Sequence, residues 1–299
     1  MSTRLFLTLI AIWLGFSVLL GVALSFVPHD DSAVADTSDA VVSFQDETIT
    51  PAQLASARKA VMSSQEAPLV LDGPDYVKCM AAQTQQLKAA KQPVPAADAL
   101  RKQCAQVDAQ VSEQALSGLI QAVWLRAEAE KLGISVTDAE AKKAFNEQKA
   151  QAFPKAADYD KYLKTSGLTE AELLDQVKNG LIAQRLQEHY TKSIAAPTEA
   201  ELRKLYDEQV KSVPKGTKAP KFEEVRDQIA QQVLTSKQQP ALTAAITDIT
   251  NRSKPQTECL TDVKVEQCKG VAPKATPAPQ QVPEQSAPAT DPQAAPTPA

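Results

Sequence analysis

Four cysteines, Cys79, Cys104, Cys259 and Cys268, are the side chains of this chain with the clearest covalent chemistry. A cysteine can act as a thiolate, bind a metal or pair with another cysteine, and spacing helps to decide among these. No two of the four form the Cys-x-x-Cys unit that tunes a thiolate for redox exchange. No clustered histidines accompany them, which argues against zinc. Disulfides are the better reading, and four cysteines allow three pairings. The local pairs Cys79–Cys104 and Cys259–Cys268 are favoured, because each brackets a segment poor in core residues that a covalent staple would help. Such staples fit export to an oxidising compartment.

The other reactive side chains offer less. His29 and His189 are the only histidines, and His189, lying between Glu188 and Tyr190 in a helical pattern, reads as a solvent-facing helical residue. Glu128, Glu130, Asp138 and Glu140 cluster near one helix end, where capping and surface charge account for them without catalysis. There is no Gly-rich phosphate loop, no G-x-S-x-G elbow and no H-E-x-x-H motif. The sequence therefore assigns no catalytic residue, no metal ligand and no cofactor. A net charge of −4 with interleaved signs, and a pI near 5.4, exclude the footprint of a nucleic-acid binder.

The elements that must carry these residues are mostly helical. Nine glycines in 299 residues and 5% aromatics, with abundant Ala, Gln, Lys, Glu and Leu, favour helices over a sheet-rich core. Leu116, Leu119, Ile120, Val123, Trp124 and Ala127 recur at helical spacing, which predicts an amphipathic helix with a broad buried stripe ending at Gly133. Thr137 with Glu140, and Thr169 with Glu172, have capping-box spacing and open two further helices; Pro197-Thr198 opens another. Thr50-Pro51-Ala52-Gln53 starts an earlier one, running to about Ser63. Asp158 is expected to cap a short turn from Tyr159 to Lys164. Pro240 is expected to kink or interrupt the helix marked by Phe222, Val225, Ile229 and Val233.

The ends differ from this body. Residues 1–28 hold an almost wholly apolar run, Leu5 to Val27, preceded by Arg4. Its length suits a retained signal anchor, while Ala33-Val34-Ala35 has the form of a signal-peptidase site, so a cleaved signal stays open. Either alternative places the body outside the cytoplasm, on the membrane by a single pass or free after cleavage. A linker over 29–40 leads to a short hairpin, Val41 to Phe44 and Thr48 to Ile49, at the start of a helical domain over 41–254. Within it, residues 72–105 read as a cysteine-bracketed insert rich in Pro, Gln and Lys. A disulfide-bracketed segment, 255–270, and a Pro/Ala-rich tail expected to be disordered, 271–299, follow.

In this order, "VVSFQDETIT", "LIQAVWLRAEAEKLGISVTDAEAKKAF", "FPKAADYDKYLKTSGLTEAELLDQVKNGLIAQRL" and "PTEAELRKLYDEQ" resemble the N-terminal chaperone domain of SurA- and PrsA-type extracytoplasmic foldases, related to the substrate-binding part of trigger factor. The resemblance implies a mainly α, multi-helical domain closed by a returning C-terminal helix, here "KFEEVRDQIAQQVL", beside the short N-terminal hairpin. Full-length members of that family carry a parvulin prolyl isomerase domain before the returning helix. Here residues 210–221 occupy that place, and the pocket's histidines have no counterpart.

The reading that follows is a chaperone-like protein without its own isomerase domain, holding unfolded or newly exported polypeptides in a shallow apolar groove by non-directional contact. Trp124, Leu125, Phe145, Tyr159, Tyr162 and Leu163 are the candidates for that contact surface, most of them expected to double as core. A cell-envelope scaffold with one fixed partner, and a residual prolyl isomerase, are the alternatives from other classes. The sequence leaves the oligomeric state open. Non-reducing peptide mapping should recover Cys79 joined to Cys104 and Cys259 joined to Cys268; a peptide joining Cys104 to Cys259 overturns the pairing.

Overall fold

A computed structural model describes residues 40–63, 70–213 and 219–273. The apolar run at Leu5 to Val27, the possible cleavage site at Ala33 to Ala35 and the tail beyond Pro273 lie outside the described residues. Among the described residues no helix is long and apolar enough to cross a membrane.

The order is β1 (Val42–Phe44), β2 (Glu47–Ile49), α1 (Pro51–Ser63), α2 (Val77–Ala89), α3 (Ala97–Lys131), α4 (Asp138–Ala152), α5 (Ala156–Ser166), α6 (Glu170–Thr191), α7 (Glu199–Lys211), α8 (Phe222–Ser253), a 3-10 turn (Lys254–Gln256) and β3 (Thr257–Cys259). Helix boundaries follow local chemistry. Thr137, Thr169 and Thr198 each accept the backbone N–H three residues on, while Glu140, Glu172 and Glu201 reach back to the threonine N–H. Thr50 and Gln53 exchange the same pair of bonds. These reciprocal bonds satisfy donors that a helix start otherwise leaves open. Helix α3 stops where Gly133 takes a φ of 68°, which lets Gly133 N–H reach Glu130 and Ile134 N–H reach Ala129.

The core is organised on α3. Leu116, Leu119, Ile120 and Val123 are almost completely buried along one face, and α1, α2, α6 and α8 all pack on this helix. Ala57 and Val61 of α1, Ile249 of α8 and Val265 beyond β3 join the same cluster. Chain segments far apart in sequence thereby close one interior: α8 does return to α3, but through Ile249 near its end, while the stretch expected to return, with Phe222 and Ile229, packs on α7 instead. Two smaller clusters flank it. One, around Ile182 and Leu186, packs α6 on α4. The other, Leu202, Phe222 and Ile229, holds α7 against the first half of α8.

Several expectations are corrected. The hairpin, expected only as a short element at the domain's start, is part of the core: Val42, Phe44 and Ile49 are buried, with Phe44 only 3% exposed. Its strands pair Val42 with Ile49 and Phe44 with Glu47, and β3 pairs antiparallel on the other edge of β1, giving the order β2-β1-β3. Residues 72–105 are largely helical, forming α2 and the first turns of α3, and Cys79–Cys104 joins those helices across a Cα separation of 6.1 Å. Asp72 starts α2 from outside by accepting the N–H groups of Lys78 and Cys79. Helix α5 begins at Ala156, with Asp158 in its first turn and Lys155 as N-cap. Helix α8 runs through Pro240. A proline removes one donor and crowds the preceding turn, and here packing at both ends, Ile229 on α7 and Ile249 in the core, outweighs that cost.

Two buried polar groups lock the assembly. Trp124 Nε1–H donates to Thr257 Oγ1 at 2.9 Å, and that hydroxyl donates to the Ser253 carbonyl at 2.9 Å. Glu128, 4% exposed, accepts from Tyr190 Oη at 2.6 Å and from Arg252 Nη2 at 2.8 Å, with Lys131 at 3.6 Å. Burial pushes the Glu128 carboxyl up, but the Tyr190 and Arg252 bonds and the two cations together hold it below its ordinary 4.5.

Phe44→Ala should cost about 3–5 kcal/mol in denaturant unfolding, whereas an appended hairpin would show almost none of that loss. Because the folded Glu128 carboxyl titrates below the unfolded one, its contribution is complete above the unfolded value and is lost as pH falls through the folded one. Acid titrations of stability should therefore show a shallower decline for Glu128→Gln than for the parent chain, from a lower plateau at neutral pH.

Candidate functional site

The six residues expected to touch clients fall in three places. Phe145 and Tyr159 are 6% and 5% exposed and close the corner of α4, α5 and α6. Lys149 Nζ lies 3.8 Å from the Tyr159 ring centroid, and Tyr159 Oη donates to Glu170 at 3.0 Å. Burial, followed by the Glu170 carboxylate, pushes the Tyr159 phenol up to about 12. Trp124 is 4% exposed and its indole N–H is spent on Thr257. These three side chains are structural, because their apolar area is already removed from water. Leu125, Tyr162 and Leu163 are half-buried. Tyr162 and Leu125 each reach a different surface depression.

Tyr162 reaches the first depression, a cleft of about 460 Å³ between α1 and α5. Met62, Val70, Leu71 and Val111 line it together with Tyr162, and Arg58 and Lys59 stand at its edge. Val70 is exposed and Tyr162 stacks at 5.2 Å from Phe153. Burial raises the Tyr162 phenol above its ordinary value, so the hydroxyl stays protonated at neutral pH and serves as a neutral hydrogen-bonding group. Arg58 is paired with Asp108, which also accepts from Tyr76 Oη at 2.9 Å. Arg58 Nε is buried without a hydrogen-bond partner. The cleft is an apolar floor with cationic and hydroxyl groups around it, suited to a chain segment whose side chains are apolar and whose backbone carbonyls need donors.

Leu125 reaches the second depression, about 410 Å³ between α3 and the second half of α8, where Trp124, Ile246, Ile249 and Pro273 supply the apolar walls. Sequence reading missed Met62 and Ile246 as surface-forming groups. Met62 sits in a core-like helical pattern, and Ile246 lies one helical turn from Ile249 with nothing local to mark it as exposed.

His189 is half-buried, its ring 5.4 Å from that of Tyr190. Among the described residues no group of three or more His, Cys, Asp or Glu side chains could hold a metal ion. Both disulfides are formed, Cys79–Cys104 and Cys259–Cys268, and no cysteine is free.

Comparison with known proteins places this geometry. The family described as SurA-like N-terminal domain matches residues 71–187, which run from Leu71 in the first cleft through α2 to α6. Foldase protein PrsA from two strains of Clostridium perfringens is 35% identical over 107 residues in each case. That match covers 36% of this chain and 31% of each relative, so it spans under a third of their length. No solved structure matches the chain significantly. Over residues 71–187 the chain is thus similar to the SurA-like N-terminal domain, and over a comparable length to the PrsA foldases.

Proposed function

We propose that this protein is an extracytoplasmic chaperone that holds unfolded exported polypeptides and carries no prolyl isomerase domain of its own. The observation that carries the reading is that the SurA-like segment supplies Leu71, Val111 and Tyr162 to an open apolar cleft completed by Met62, Arg58 and Lys59 of α1. A client segment is held there by desolvation of apolar side chains, a force without direction, which accommodates many sequences weakly. Lys59 offers a donor to client carbonyls without fixing a register. The work is binding rather than catalysis: helices α7 and α8 are joined by residues 212–221, where isomerase-bearing members of the resembled family insert a catalytic domain. The two disulfides suit an oxidising compartment, and the apolar run Leu5 to Val27 would direct export and hold the body at the membrane if retained.

Diluting a chemically unfolded protein into buffer with the full chain should suppress light scattering near one-to-one stoichiometry. Met62→Glu, which places a charge in the cleft, should weaken that suppression severalfold with the circular dichroism spectrum unchanged. Suppression that is intact in the folded variant rejects the cleft. An absence of suppression against several unrelated clients rejects the chaperone reading in favour of a scaffold with one saturable partner.

A further inference from the structure

The second depression has an occupant written into the same chain. Its floor is apolar, from Trp124, Leu125 and Ile249, and Ile246 on its rim is 44% exposed. The chain is delivered to this place by fixed contacts. Cys268 is bonded to Cys259 beside β3, Val271 N–H donates to the Cys268 carbonyl, and Lys254 Nζ donates to the Val271 carbonyl at 2.7 Å. Pro273, the last described residue, is itself part of the groove wall. Residues 274–299 therefore leave the body at the groove's edge.

The sequence that begins there fits what the groove offers. Lys274-Ala275-Thr276-Pro277-Ala278-Pro279-Gln280-Gln281-Val282-Pro283 has small apolar and proline side chains with a single charge. Proline-rich segments suit aromatic-lined apolar grooves because their backbone has little freedom left to lose. Gln121 and Gln267 on the groove edge add amides that can pair with carbonyls, which proline leaves free. Attachment a residue away makes the encounter intramolecular, at an effective concentration on the order of millimolar, so even a weak contact is populated.

We propose that the groove between α3 and α8 is the docking site of the chain's own Pro/Ala-rich segment, Lys274 to Pro283, which shields Ile246 and Leu125 from other chains. The proposal stands independently of the chaperone reading, since it concerns a different depression and a fixed intramolecular ligand.

The test uses the full chain with Ile246→p-benzoylphenylalanine, irradiated and digested with trypsin. No Lys or Arg follows Lys274, so residues 275–299 are released as one peptide. The expected result is a cross-link from position 246 to that peptide, well above the yield from Glu208→p-benzoylphenylalanine on α7. Equal mixtures of isotopically heavy and light chains should give products within one molecule only. Equal yields at the two positions, or heavy–light products that reveal a second copy as occupant, overturn the proposal. As a check needing no probe in the groove, deleting 274–299 should raise the fluorescence of a bound hydrophobic dye severalfold. Unchanged dye binding by the folded deletion variant overturns it as well.

Discussion

Buried polar groups whose partners lie far away in sequence set the terms for this fold. Glu128 sits in the interior with its charge answered by Tyr190, 62 residues on, and Arg252, 124 residues on. Four residues earlier, the Trp124 indole finds Thr257, 133 residues on. An uncompensated carboxylate there would carry a large desolvation penalty, and an unpaired indole N–H a smaller one. Positioning helices α3, α6 and α8 and strand β3 together removes both penalties. Hydrophobic area makes the assembly favourable; these bonds fix which arrangement of the helices is the stable one.

That constraint explains what could be read in advance. Capping boxes at Thr137, Thr169 and Thr198, and the apolar stripe on α3, are local signals with a direct physical meaning, and they locate most helix starts and the main buried face. Strand β3 is three residues long and exists only because β1 presents an open edge, so nothing within Thr257 to Cys259 announces it. The helicity of residues 72–105 was masked by their prolines and by a start signal, Asp72 to Lys78, that spans six residues rather than three. Pro240 misled in the other direction, because tertiary contacts on either side sustain a helix that local propensity would break.

The surface was less legible than the interior. Aromatic residues look alike in a sequence whether they close a corner, as Tyr159 does, or edge a cleft, as Tyr162 does; three positions on one helix separate the two roles. Which of them meets solvent depends on where α1 and α4 lie, and this is a property of the assembled fold. The cleft beside α1 and the groove beside α8 differ accordingly. One is bordered by Arg58 and Lys59 of α1, whereas the other is walled by Pro273, just before a proline-rich stretch of sequence.

The pairing of β1 with β3 has a consequence for the order of events as the chain is made. Synthesis runs from the N-terminus, so Val42 and Phe44 emerge more than two hundred residues before Cys259 and Thr257, their partners across the ladder. Until then one edge of β1 has no strand beside it and the apolar side chains around it lack part of their cover. Contacts of such long sequence separation form slowly, because loop closure must precede any gain from them. A nascent copy of this protein is thus itself a chain with exposed apolar segments, vulnerable to aggregation until Thr257 to Cys259 arrive.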